Sequence, residues 1–393
     1  MNSNLRKAEQ QLEEMILTPR EKSLVALMFN GELTEEALHT LIDGLDLDTA
    51  NQNYILMLSC LGHTRGWELF PAEMIPRLKG VHRYHQVHNA MGIPWLVQQL
   101  RILTDAGIPV MLLKGCAALA YYVPNTPRLM WDYDVAVPEA QFGRALQLLL
   151  TGENTFVSDD GHSVSIKGAR DEIDLHRWIF KTNGERASDV WERAISFSFY
   201  GIDVCVPAPE DMLVHLLDTQ SRNYFRQEGA DRRMQWICDC RCIWQKAEKI
   251  DLRCLADRAQ DFFATERVRM MLVQFMQCFP ELIDQQEFHQ LFPRTKEYDR
   301  LLICGEKYKK ALNKYKSYKY NFRSAMTPLH VWRSLQMEIA SYRYLCPEMR
   351  RMDPKLNFLR FFNKMHNIDS FSSLAKKYLS RIRLREQQLP GGE

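Results

Sequence analysis

The chain has 393 residues, 46% of them hydrophobic and 25% charged, with a formal net charge of +2, the balance of an ordinary soluble protein of two or three domains. No run of about 18 uncharged apolar residues occurs, which excludes a transmembrane helix, and the opening MNSNLRKAEQQLEEM lacks the apolar stretch of a signal peptide. Ten cysteines without short-chain spacings fit reduced thiols, so the expectation is a cytoplasmic protein with no membrane association. The small net charge hides an asymmetry. Residues 301–393 carry 19 Lys and Arg against 7 Asp and Glu, a surplus of 12, on a remainder that is negative by 10. A basic tail on an acidic body points to a polyanionic partner.

Residues 1–97 read as helical throughout. Thr34 to Asp46 opens with a capping threonine and an acidic first turn, followed by apolar residues at helical spacing. Pro71 to Gln99 predicts one or two further helices with a bend at Gly92-Ile93-Pro94, and Trp95 to Ala106 continues as an amphipathic helix. His82, His85 and His88 invite a metal reading. On a helix the outer two lie ~120° apart around the axis, too widely spread for easy common ligation, so polar packing along a helix flank is the expectation.

The stretch from Val110 to Pro138 organises the chain. Val110 to Leu113 are apolar and predict a buried strand that ends at Lys114-Gly115. Cys116 to Tyr122 is rich in alanine and predicts a short helix, stopped by Pro124 and Pro127. Leu129 to Val137 alternates as a strand with two unlike faces. Asp132 and Asp134 then share one face, while Leu129, Trp131, Tyr133, Val135 and Val137 point toward a core. Two adjacent carboxylates repel unless a cation lies between them. A hard divalent ion suits them, Mg²⁺ above all. The glycine turn offers backbone N–H groups to phosphate, and Lys114 and Arg128 supply positive charge on either side. These parts suit phosphoryl or nucleotidyl transfer, and a third carboxylate is expected from a neighbouring strand.

Pro138 to Leu150 predicts a helix with Phe142, Ala145, Leu146 and Leu149 on one face. Short strands follow near Thr155–Val157 and Ser163–Lys167. The next strand, in DEIDLHRWIF, sets Glu172, Asp174 and His176 on one face. From Pro207 the pattern is helical again, with Met212, Leu213, Leu216 and Leu217 on one side, then a helix over Arg232–Gln245. Cys238, Cys240 and Cys242 on that helix have the wrong spacing for zinc and read as small buried thiols. Near the end, EKYKKALNKYKSYKYNFR interleaves lysines with tyrosines. It reads either as a solvated helix with a tyrosine face or as a surface for RNA or another polyanion.

The order Lys114-Gly115, Arg128, Asp132-x-Asp134 and Asp174-Leu175-His176 resembles the nucleotidyltransferase superfamily, and within it the bacterial proteins usually described as uncharacterised nucleotidyltransferases, over roughly residues 75–245. The superfamily pattern has Gly-Ser at the turn where this chain has Gly115-Cys116, which removes one hydroxyl near the phosphates. The resemblance implies an α+β protein, with a small mixed-sheet catalytic domain over 98–205. Helical regions over 1–97 and 206–303 would flank it, followed by a basic helical region over 304–393. It implies a metal-dependent nucleotidyltransferase that moves a nucleoside monophosphate from an NTP such as ATP to an acceptor hydroxyl, releasing pyrophosphate. Asp132, Asp134 and Asp174 would be the catalytic and metal-binding acids, with Mg²⁺ or Mn²⁺. Lys114, Gly115, Cys116, Arg128 and His176 would bind the nucleotide. The alternative is a catalytically silent nucleotide-binding or scaffolding protein on the same fold.

Overall fold

The structure, a computed structural model, describes residues 17–29, 31–122, 128, 130, 132–159, 162–180, 187–226, 233–247, 249–303 and 305. The basic C-terminal stretch expected to meet a polyanion lies outside the described residues, as do Leu129 and Trp131.

Helices come first. The helix α1 (Pro19–Phe29) precedes α2 (Glu35–Ile42), where Thr34 accepts a hydrogen bond from the amide of Ala37 at 3.2 Å and so caps the first turn. Asn51 caps α3 (Gln52–Arg65), which is buried without interruption from Asn53 to Gly62, as a helix apolar on every side must be. Then α4 runs unbroken from Ile75 to Asp105 with Pro94 inside it, about 46 Å long. The helix thus continues through Gly92-Ile93-Pro94 without a break. Pro94 removes one backbone hydrogen bond, but Ile93, Leu96, Leu100 and Leu103 are all buried, and that packing holds the helix together. Gly92 has another purpose. A Cβ there would lie 2.0 Å from Tyr133 Oη, so its absence lets α4 lie directly against the sheet.

The sheet has seven strands in the order β3-β4-β5-β2-β1-β7-β6. These are β1 (Met111–Leu112), β2 (Tyr133–Ala136), β3 (Thr155–Asp159), β4 (Ser163–Lys167), β5 (Glu172–His176), β6 (Ile195–Phe199) and β7 (Ile202–Val206). The pairs β2–β5 and β1–β7 are parallel and the others antiparallel, so the sheet is mixed and the protein α+β. Between β1 and β2 lies the short α5 (Lys114–Ala118), and α6 (Phe142–Leu149) buries Phe142, Ala145 and Leu149. A helix of six residues, α7 (Ala187–Glu192), precedes the β6–β7 hairpin, which turns on Tyr200 (φ 49°) and Gly201 (φ 80°).

After β7 come α8 (Pro209–Arg226), α9 (Arg233–Lys246), α10 (Leu252–Asp261), α11 (Thr265–Cys278) and α12 (Gln285–Leu291), with α8 packed on α9, α10 and α11. One contiguous cluster of buried apolar side chains runs from Leu17 to Leu302. Among the described residues no helix is long and apolar enough to cross a membrane.

Candidate active site

Parallel pairing of β2 with β5 sets Asp134 opposite Asp174 and Ala136 opposite His176. Since side chains alternate along a strand, Asp134, Asp174 and His176 come to one face, while Tyr133, Val135, Ile173 and Leu175 are buried on the other. His176 Nε2 lies 2.9 Å from Asp134 Oδ1. On β4, opposite Asp174, Ser165 donates its hydroxyl to Asp174 Oδ1 at 2.5 Å. Asp134, Asp174 and His176 each offer a ligand atom within 4.8 Å of the others, a set able to hold a metal ion. Asp132, in a bend just before β2, lines the adjoining cavity but stands outside that compact group. The structure thus brings together two of the three expected acids and adds a histidine.

Lys114 begins the turn after β1 with φ +43°, a left-handed conformation uncommon outside glycine. Leu113 donates its backbone N–H to the carbonyl of Asp134 at 2.9 Å, and Lys114 Nζ forms an ion pair with Asp134 Oδ1. Burial alone would raise the Asp134 carboxyl. Lys114 and the hydrogen bond to His176 outweigh it and hold that carboxyl well below the usual range. Burial likewise works against the Lys114 ammonium, but Asp134 prevails and its pKa is raised.

Gly115 lines the cavity, and a Cβ on it would lie 2.4 Å from Arg128 Nη1. Arg128 is buried and donates to both carboxylate oxygens of Asp239 on α9, at 2.9 and 2.6 Å. The Tyr122 hydroxyl donates to the same carboxylate at 2.7 Å. Cys116 is fully buried in the core, where burial pushes its thiol up.

The cavity at Asp134 has a volume of about 270 Å³ and is also lined by residues of α8 and α9. Among the α8 residues lining it that the sequence reading passed over are His215, Asp218 and Arg222. Burial first, then Lys114 and His176, lowers the His215 imidazole to about 3. Asp218 is buried between Arg222 at 3.0 Å and the fully buried Arg267 at 2.5 Å. The signal was present in the spacing. Asp211, His215, Asp218 and Arg222 recur every three or four residues and form a polar ridge along a helix that otherwise reads as core.

The other candidate ligands stand apart from this site. His82 and His85 are buried on α4, with the His82 ring 3.7 Å from that of His63, and burial lowers both imidazoles. Cys238 and Cys240 are buried thiols on α9. Among the described residues, the one grouping of three or more metal-ligating side chains is Asp134, Asp174 and His176.

A mixed sheet with acids on two neighbouring strands, approached by a Lys-Gly turn, is the architecture of a nucleotidyltransferase-type protein. The family model described as Uncharacterised nucleotidyltransferase matches residues 47–280, and the chain belongs to that family. Among solved structures it is similar to an antigenic nucleotidyltransferase-like protein from Paracoccidioides brasiliensis. The identity is 16%, the match covers 53% of this chain and 94% of that one, and the TM-score is 0.34, too slight a likeness to argue from. No curated protein matches the chain.

Proposed function

We propose that this protein transfers a nucleoside monophosphate from a nucleoside triphosphate to an acceptor hydroxyl, releasing pyrophosphate, with Mg²⁺ or Mn²⁺ as cofactor. The observation that carries the reading is the parallel register that sets Asp134 beside Asp174 and within reach of His176. Two carboxylates and an imidazole form a donor set that fits a hard or borderline divalent ion. Asp134, Asp174 and His176 would hold it, and when bound it supplies positive charge to the triphosphate oxygens.

The remaining chemistry belongs to side chains of this chain. The acceptor oxygen forms a bond to the α-phosphorus, and the bond from that phosphorus to the bridging oxygen breaks. The electron pair leaves with pyrophosphate. Asp174, oriented by the Ser165 hydroxyl, takes the acceptor proton. Gly115 and Lys114 line the cavity wall, where the turn backbone and the Lys114 ammonium would meet phosphate. Arg128 is committed to Asp239 and acts by fixing the shape of the turn.

One observation favours a second reading, a nucleotide-binding protein without turnover. The superfamily pattern has a hydroxyl after the glycine, and here that position is a thiol sealed in the core. The test is incubation with each α-labelled NTP, Mg²⁺ or Mn²⁺, and a whole-cell lysate. Label on an acceptor together with pyrophosphate release supports transfer. Nucleotide binding without any labelled product favours the silent protein.

A further inference from the structure

The part of the cavity lined by α8 differs in kind from the part lined by the acids. His215, Thr219 and Asn223 all line it. Placed four residues apart on one helix, they fall on a single stripe about 12 Å long. Charged neighbours on the helix are matched, Asp218 pairing with Arg222 at 3.0 Å and with Arg267 at 2.5 Å. The stripe itself has hydrogen-bonding groups with nothing to bond. His215 is only 6% exposed and packs edge-on against Phe180, yet its ring makes no hydrogen bond among the described residues. The Thr64 and Ser221 hydroxyls turn back on carbonyls of their own helices. Among the described residues the Thr219 hydroxyl does not, and the Asn223 amide is likewise without a partner. A buried polar ring left unsatisfied costs stability, and lining a cavity it is a group that a ligand completes.

We propose that the nucleoside part of the nucleotide lies along this stripe, with the His215 imidazole hydrogen-bonded to a ribose hydroxyl. The inference rests on the nucleotide reading given above and adds to it a residue that recognises the sugar. Burial first, then the charges of Lys114 and His176, keep the His215 ring neutral at ordinary pH. A neutral imidazole has one N–H to donate and one nitrogen to accept with, and a hydroxyl can use either. A phosphate only accepts, and it has Lys114 in the same cavity. Those same charges place His215 near the end where phosphate would bind, and the sugar is the part joined directly to the α-phosphate. Thr219 and Asn223, one and two turns along α8, carry the wall on from there, and Trp236 of α9 adds an apolar surface suited to a ring.

The test is calorimetric titration of the full chain, with Mg²⁺ and no acceptor. ATP, GTP, CTP and UTP come first, then the 2′-deoxy and 3′-deoxy forms of the tightest of them. In the parent, loss of one of the two hydroxyls should weaken binding about three- to tenfold, the range for one neutral hydrogen bond. In His215→Leu the ribonucleotide should bind as weakly as that deoxy form, while affinity for inorganic tripolyphosphate stays at the parent value. Should the leucine variant not fold, His215→Met takes its place, and the comparison in the parent needs no variant. Equal affinity of the parent for the ribonucleotide and both deoxy forms overturns the inference and leaves the nucleotide reading standing. A sugar preference that survives in the variant does the same. No binding of any of the four nucleotides removes the nucleotide reading itself, and the inference with it.

Discussion

Arg128 and Asp239, 111 residues apart in the chain, form a two-pronged buried ion pair at 2.9 and 2.6 Å that fastens the loop before β2 to α9. Removing one partner strands the other charge out of water, at a cost of roughly 3–5 kcal/mol, whereas replacing both by apolar side chains costs far less. Asp239→Leu alone and Arg128→Met alone should each lower the urea midpoint strongly. The double variant should lie above their summed effect. Strict additivity would mean that the pair is not coupled.

Gly115 depends on the same pair. A Cβ at this position would lie 2.4 Å from Arg128 Nη1 and 3.2 Å from its Cζ. An arginine end ordinarily swings aside, but this one is pinned by Asp239. Gly115→Ala should therefore destabilise by about 1–3 kcal/mol, the range for overpacking. In an Arg128→Met background the same change should be close to neutral. Equal cost in both backgrounds would place the difficulty in the backbone.

The α+β class, the strand acids and the family could be read from the sequence because they are local or ordered along the chain. Alternation alone put Glu172, Asp174 and His176 on one face. What alternation could not give was register. Which residue of β5 faces Asp134 depends on a crossover of some 40 residues, and the shift that pairs Asp134 with Asp174 also brings His176 to Asp134. The partner of Lys114 was hidden for the same reason. The β6–β7 hairpin had a local signal that was not drawn out, since ISFSF and IDVCV alternate about a two-residue Tyr200-Gly201 turn. At Gly92-Ile93-Pro94 the helix runs on through the proline, because burial of α4 against the sheet outweighs one missing hydrogen bond.

Acid should weaken the fold through His215. Its ring is buried against Phe180, at a centroid distance of 5.3 Å, and its imidazole is lowered to about 3 from 6.5. Between those values the unfolded chain takes up a proton that the folded chain refuses, so stability is lost as pH falls from about 6.5 toward about 3. His82, lowered to about 4, adds in the same direction. The melting temperature of the parent should drop between about pH 7 and pH 4.5. His215→Gln should flatten that drop, by at most about 1.4 kcal/mol per pH unit. An unchanged slope would mean that His215 is protonated in the fold.

A substitution at Asp174 can test catalysis apart from binding. Asp174 lies half-buried on β5, accepts a hydrogen bond from the Ser165 hydroxyl, and stands opposite Asp134. If it takes the acceptor proton and shares the metal, it matters chiefly in the transition state. Loss of such a group lowers kcat by a factor of about 10² or more with little change in ground-state affinity. Asp174→Asn keeps the size of the side chain and an oxygen to accept from Ser165, so the strand should survive. Nucleotide affinity and labelling rate should be measured for parent and variant at saturating Mg²⁺. The expected outcome is affinity within a few-fold and a labelling rate reduced at least a hundredfold. Transfer at nearly the parent rate would make Asp174 a structural residue, and proton transfer would then have to fall to water or to His176, whose Nε2 lies 2.9 Å from Asp134 Oδ1.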